Sequence, residues 1–150
     1  MKMVRVAVAA LFLLFAGCSF AYDSFSVGLQ VDAHQDYIGY NAHAVLPLAA
    51  FGADSTPRML SARVDFSAGD VVYAGLAAVL SGRGPGIQPF VSLGGGAALW
   101  GTPPLPTFQG TVGVRMPLTG RLYATAQFQL RVATVGHAQP GFGLGLEYSF

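Results

Sequence analysis

The sequence predicts an all-β chain: an eight-stranded antiparallel up-and-down transmembrane β-barrel, preceded by a cleaved signal peptide. Three observations carry this expectation. Apolar residues make up 53% of the 150 residues and charged residues only 10%, against roughly 25% charged in an average soluble domain. After residue 21 no stretch approaches the roughly 18 unbroken apolar residues of a membrane helix. Apolar residues instead alternate with small or polar ones in runs of about ten, as in strands with one face in lipid.

The organisation read from the sequence is a signal peptide over 1–21 and a barrel over 22–150. Met1 to Arg5 is a short positive segment, and Val6 to Ala16 an apolar core of the usual length. Ser19-Phe20-Ala21 is a small-x-small cleavage site, placing the cut between Ala21 and Tyr22. The apolar run is too short for an anchor helix. Cys18 is the single cysteine, so no internal disulfide can form. Phe15-Ala16-Gly17-Cys18 also resembles a bacterial lipobox, in which Cys18 would carry lipid. A strand starting a few residues later leaves little tether, so the expectation is that Cys18 departs with the leader.

Eight period-two segments follow. The first sets Phe25, Val27, Leu29 and Val31 against Ser26, Gly28, Gln30 and Asp32. The second sets Ile38, Tyr40, Ala42, Ala44 and Leu46 against Gly39, Asn41 and His43. In the third, Leu60, Ala62, Val64 and Phe66 oppose Ser61, Arg63 and Asp65. The fourth, Val71 to Leu80, is apolar on both faces, so its register is open. The fifth sets Val91, Leu93, Ala97 and Leu99 against Ser92, Gly94 and Gly96. The sixth sets Phe108, Val112, Val114, Met116 and Leu118 against Gln109, Thr111, Gly113 and Arg115. The seventh is the clearest: Leu122, Ala124, Ala126, Phe128, Leu130 and Val132 oppose Arg121, Tyr123, Thr125, Gln127, Gln129 and Arg131. The eighth sets Phe142, Leu144, Leu146, Tyr148 and Phe150 against Gly141, Gly143, Gly145, Glu147 and Ser149. Turn residues separate them, the longest connection being Pro47 to Pro57.

Period alone does not choose between a membrane barrel and a soluble, lipocalin-like carrier. The composition of the faces does. A soluble barrel turns its apolar face inward and carries charge outside. Here the polar face is rich in glycine, serine, threonine and glutamine, which fit the narrow lumen of eight strands, while the apolar face is wide and almost chargeless. The lumen therefore receives Asp32, Arg63, Asp65, Arg115, Arg121, Arg131 and Glu147. Pairing about Thr119-Gly120 puts Arg115 beside Tyr123 and brings Glu147 near Thr125, within reach of Arg115 or Arg121. Asp32, Asp65 and Arg131 are expected to meet nearer the other end. After the leader six arginines stand against seven carboxylates, and Lys2 is the only lysine. No basic patch exists, which argues against nucleic acid.

The last segment alternates Leu146, Tyr148 and Phe150 to the final residue. This resembles the closing strand of bacterial outer-membrane proteins, which ends in Phe with an aromatic two residues before. The resemblance implies an assembly signal read by the barrel-assembly machinery, and outer-membrane lipid as the surrounding partner. Pro89-Phe90-Val91-Ser92-Leu93-Gly94 likewise resembles a strand of the small OmpA/OmpX-like barrels and opacity-type porins. The resemblance implies the bacterial outer membrane as the location, with both ends of the barrel facing the periplasm. Outer loops then fall at 33–37, 67–70, 100–107 and 133–140, all short, and the long 47–57 connection lies on the periplasmic side.

Other chemistries find little support. Gly94-Gly95-Gly96 and Gly141-x-Gly143-x-Gly145 lack the strand-to-helix context and the lysine of nucleotide loops. His34 and His43, with Asp32 and Asp36 nearby, read as hydrogen-bonded lumen or rim residues rather than a metal or acid–base site. Some small outer-membrane barrels are lipid A deacylases, acyltransferases or proteases, which need a serine or carboxylate beside a histidine. Ser67 and Asp70 near His34 or His137 are the candidates here, though no spacing demands them. The expectation is a general envelope barrel without catalysis, cofactor or metal, the alternatives being a lipid-modifying enzyme and a periplasmic carrier. Processing is directly measurable: the intact mass of envelope-extracted protein should correspond to a chain starting at Tyr22, whereas diacylglycerol on Cys18 would make it a lipoprotein.

Overall fold

The computed structural model describes residues 25–150 apart from 54, 56, 57, 70, 84 and 100–102. The expected leader and its Ala21/Tyr22 junction lie outside the described residues. Eight antiparallel strands follow in order: β1 Ser26–His34, β2 Ile38–Phe51, β3 Arg58–Ala68, β4 Val72–Gly82, β5 Gln88–Leu99, β6 Leu105–Thr119, β7 Leu122–Ala133 and β8 Ala138–Ser149. Each pairs with its sequence neighbour, and β8 pairs with β1, from Ser26↔Ser149 to His34↔Gly141, closing the barrel. Closure leaves no edge, as lipid requires, because an unpaired backbone group in hydrocarbon costs several kcal/mol. The rim where β1 starts and β8 ends is the terminal rim, and the opposite one the distal rim.

The two faces separate as the alternation requires. Leu29, Leu76, Leu93 and Phe108 point outward and are 71%, 63%, 73% and 65% exposed. Inward stand Gln30, Asp32, Asn41, Arg63, Asp65, Gln109, Gln127, Gln129 and Arg131, all nearly inaccessible. The core of this molecule is thus polar and its surface apolar, the inverse of a soluble domain. The open register of β4 resolves with Tyr73, Ala77 and Val79 inward and Ala74, Leu76 and Ala78 outward. Both faces of this strand are apolar because the adjacent lumen wall is apolar too: Met59 and Phe90 are buried beside it.

The connections are shorter than the turn residues indicated. β2 runs through Pro47 to Phe51 and β3 starts at Arg58, so five of the eleven residues of the expected 47–57 connection are strand. The ladder absorbs Pro47 through a register shift between Pro47 and Ala49, and Pro117 through another between Pro117 and Thr119. Proline has no N–H to give, so a bulge is where a strand tolerates it. β6 likewise takes in Pro106, and β8 Pro140. The β6–β7 hairpin is reduced to Gly120-Arg121, with Gly120 at φ +49°.

Glycine sets how closely the inner wall can be packed. Tyr73 lies over Gly75, and Phe90 over Gly113, where a Cβ would collide with each ring. At Gly94 a Cβ would fall on the carbonyl oxygen of Leu76 and within 2.5 Å of Ala77 Cα, both main-chain atoms of the neighbouring strand. At outward Gly110 nothing lies within 4 Å. Gly94→Ala is therefore expected to cost about 1–3 kcal/mol through overpacking, and Gly110→Ala close to nothing. Urea unfolding in lipid vesicles should show a lower midpoint for the first only.

Candidate functional site

Among the described residues, chemistry concentrates in the polar lumen, where it is arranged in three layers. Nearest the distal rim, Arg131 on β7 is 1% exposed. Its Nε donates to Gln109 Oε1 at 2.9 Å, and its Nη2 to Ser67 Oγ and, at 3.4 Å, to Gln129 Oε1. The guanidinium lies 4.5 Å from the Tyr73 ring centroid, and Tyr73 packs with Val71 and Ala98 in a small apolar cluster. Gln129 also donates from Nε2 to Asp32 Oδ2 at 2.9 Å, while Gln30 donates to Asp32 Oδ1.

In the middle layer Arg63 donates from Nε to Asp65 Oδ1 at 2.9 Å, and its Nη2 lies 2.8 Å from the same oxygen. Its Nη1 reaches Gln127 Oε1 at 3.1 Å. Asn41 Nδ2 donates to Ser67 Oγ at 3.3 Å and to Asp65 Oδ1 at 3.4 Å. β3 and β7 are opposite strands of the closed barrel, so Arg63–Gln127 and Arg131–Ser67 are bridges across its full width.

The third layer lies toward the terminal rim. Arg115 Nη2 stands 2.9 Å from Glu147 Oε1 and donates to Ser149 Oγ at 2.6 Å. Its Nη1 reaches Gln88 Oε1 at 3.4 Å, and its face covers the Tyr123 ring at 3.7 Å. His43 Nε2 is 3.5 Å from Glu147 Oε2, and His43 Nδ1 is 3.3 Å from Asn41 Oδ1, linking this layer to the middle one.

The structure thus places Asp32, Arg63, Asp65, Arg131 and Glu147 inside the lumen and Arg115 at its half-open end. Arg121 requires a correction. It is exposed in the two-residue β6–β7 turn, where its carbonyl accepts from Ser149 N at 2.9 Å. The regular alternation of β7 begins only at Leu122, so counting one residue further back carried Arg121 inward in error. The expected pairings also shift. Arg115 pairs with Thr125 and Tyr123 with Pro117, the β6–β7 register shifting between Pro117 and Thr119, and on its other side Tyr123 pairs with Glu147. Arg131 meets Asp32 and Asp65 through intermediaries, Gln129 on one side and Ser67 with Asn41 on the other. Gln88, Ser149 and Tyr73 join the network as partners that no sequence motif marks. Inward parity marks the first two, and Tyr73 lay in the strand whose register was open.

The serine–histidine candidates are not brought together. Ser67 is buried and bonded to Arg131 and Asn41. His34 stacks on Tyr37 with centroids 4.5 Å apart, and its Nδ1 lies 3.1 Å from Pro140 O. Gln139 Nε2 donates to Tyr37 Oη at 2.6 Å, completing this distal-rim group. His137 is exposed, and Asp70 lies outside the described residues. Among the described residues no group of three His, Cys, Asp or Glu could hold a metal. The two glycine-rich segments are strand residues of β5 and β8. On the outer wall Leu146, Tyr148 and Phe150 face outward, with Tyr148 and Phe150 edge to face at 5.1 Å and Phe25 5.8 Å from Phe150.

Solved structures share this geometry. The chain is similar to the outer membrane enzyme PagL, with a TM-score of 0.62 and 14% identity, covering 83% of this chain and 99% of that one. The fold is that of the small eight-stranded outer-membrane β-barrels. The N-terminal β-barrel domain of Pseudomonas aeruginosa OprF superposes similarly, with a TM-score of 0.61 and 14% identity over 85% of this chain and 98% of that one. So does a de novo designed transmembrane β-barrel, with a TM-score of 0.59 and 13% identity over 85% and 96%. No protein-family profile and no curated protein matches the sequence.

The ion pair at Glu147 is the most direct test of the network. Removing one partner of a buried pair typically costs about 3–5 kcal/mol. Arg115 is partly open to solvent, so Glu147→Ala should sit near the low end, at about 3 kcal/mol. Glu147→Gln should cost less, because its amide oxygen still accepts from Arg115. Equilibrium unfolding in vesicles should rank wild type above Gln above Ala.

Proposed function

We propose that the protein is a non-catalytic, structural barrel of the bacterial outer membrane, its lumen closed by a hydrogen-bonded plug. The observation that carries this reading is the pair of bridges between opposite strands, Arg63–Gln127 and Arg131–Ser67. Eight strands leave a bore just wide enough for side chains, and two arginines lying across it block a continuous water path. Their donors are engaged by neutral amides and hydroxyls as well as by carboxylates. Moving them aside would strand buried charge, at a cost of several kcal/mol.

The location is supported by the outward face, which offers lipid an apolar wall, and by the likeness to outer-membrane barrels. The same wall disfavours a periplasmic carrier, which would need charge outside. A structural role is supported by the site chemistry: the candidate serine, Ser67, is committed to the plug. PagL is described as an enzyme, but the likeness at 14% identity is one of fold.

Two measurements on one preparation test this function. In planar bilayers the purified barrel should give no stable single-channel steps, and steady conductance would mean the plug does not hold. In vesicles containing lipid A it should release no fatty acid and transfer none; turnover would establish the enzymatic alternative.

A further inference from the structure

The plug does not fill the whole bore. Between the middle layer and the terminal rim lies a partly open cavity of about 350 Å³, within the size range of small-ligand sites. Its wall is two-sided. Arg115, Glu147, Ser149 and Ser26 present charge and hydroxyls from β6, β8 and β1, while Met59, Val79 and Phe90 present an apolar surface from β3, β4 and β5. Three arginines line it (Arg63, Arg83 and Arg115) against the single carboxylate of Glu147. Two of these arginines are held in place by carboxylates. Arg63 is fixed on Asp65 and Gln127, and Arg115 on Glu147, Ser149 and Gln88, while Arg115 Nε is a buried nitrogen without a hydrogen-bond acceptor. A buried, unsatisfied N–H on a charged group is costly, and this one belongs to an arginine lining a cavity whose opposite wall is greasy.

We infer that this cavity binds a small organic acid: one carboxylate, set against Arg115 and Arg63, on an apolar body that packs against Met59, Val79 and Phe90. A carboxylate offers planar acceptors matched to guanidinium donors. The apolar wall gives no reward to a bare inorganic anion, and Glu147 repels a doubly charged one. Access is from the terminal rim, because the middle layer bars passage toward the distal one. This goes beyond a structural role; only the side of access rests on the plug, since a conducting barrel could still hold the acid.

The test uses 4-fluorobenzoate as probe, with fluorine NMR line broadening on the barrel folded in detergent micelles. Its neutral twin, 4-fluorobenzamide, reports partitioning into detergent. The expected result is saturable broadening of the acid, with the amide binding about tenfold more weakly for want of the charged hydrogen bonds. Val79→Phe, which fills the apolar wall, should abolish the broadening while the protein keeps its heat-dependent gel shift. Ser81→Tyr, projecting into the same cavity, serves if Val79→Phe does not fold. Equal binding of acid and amide, broadening that survives the filled cavity, or no broadening at all would each overturn the inference. Displacement of the acid by inorganic phosphate at equal concentration would overturn it too, by showing a bare anion site.

Discussion

The bore of a closed eight-stranded barrel is the constraint on which the rest of this structure depends. With β8 sealed to β1, the inward side chains of all eight strands converge on one narrow column. Each must then be absent, as at Gly75 and Gly113, lie flat over such a gap, as Tyr73 and Phe90 do, or find a partner across the column. Arg131 shows the three solutions together. It crosses the bore to Ser67, lies against Tyr73, and Tyr73 in turn rests on Gly75. The glycines of the inner wall are thus the steric counterpart of its arginines.

Lipid imposes the complementary demand on the outside. No water is available there to pair a main-chain group, so the ladder must be complete around the ring. This explains why the two bulges sit beside prolines, whose missing N–H would otherwise interrupt the ladder. It also explains why the seam is reinforced at its start. Phe150 N donates to Phe25 O at 2.9 Å, and the two rings lie close outside that bond. The residues that resemble an assembly signal are therefore also the residues that shut the barrel.

Most of the architecture was legible in the sequence, because period two is a direct image of in and out. The strand count, the faces of β1, β2, β3, β7 and β8, and the lumenal placement of Asp32, Arg63, Asp65, Arg131 and Glu147 follow from parity alone. What parity cannot carry is information about neighbours. Proline reads as a stop in the sequence at Pro47, Pro106 and Pro140, yet a bulge takes in Pro47, and the first residues of β6 and β8 take in Pro106 and Pro140. Arg121 was placed inward because the alternation was extended one residue into a turn. The amides linking Arg131 to Asp32 and Arg63 to the far wall were recognisable as polar, but their partners depend on the register between distant strands, to which a single chain of letters gives no access.

The network nevertheless has a part that needs no register. Five of its hydrogen bonds join residues two apart on one strand: Gln30 with Asp32, Asn41 with His43, Arg63 with Asp65, Gln109 with Thr111, and Gln129 with Arg131. Such pairs share a face whatever the neighbouring strand does. The bridges across the bore, by contrast, join residues 64 apart and exist only once the ring has closed. This division matters for a barrel that must enter a membrane. A charge crossing hydrocarbon alone is expensive, and a partner on the same strand lowers that cost before any lumen exists to receive it. Arg63 carries its carboxylate with it, and Asp32 and Arg131 each carry an amide. Closure then adds the second set of partners and keeps the local contacts, giving a column in which the same groups are shared between opposite walls. The short-range pairs make the chain insertable, the long-range ones make the bore shut, and both are written on the same inward face.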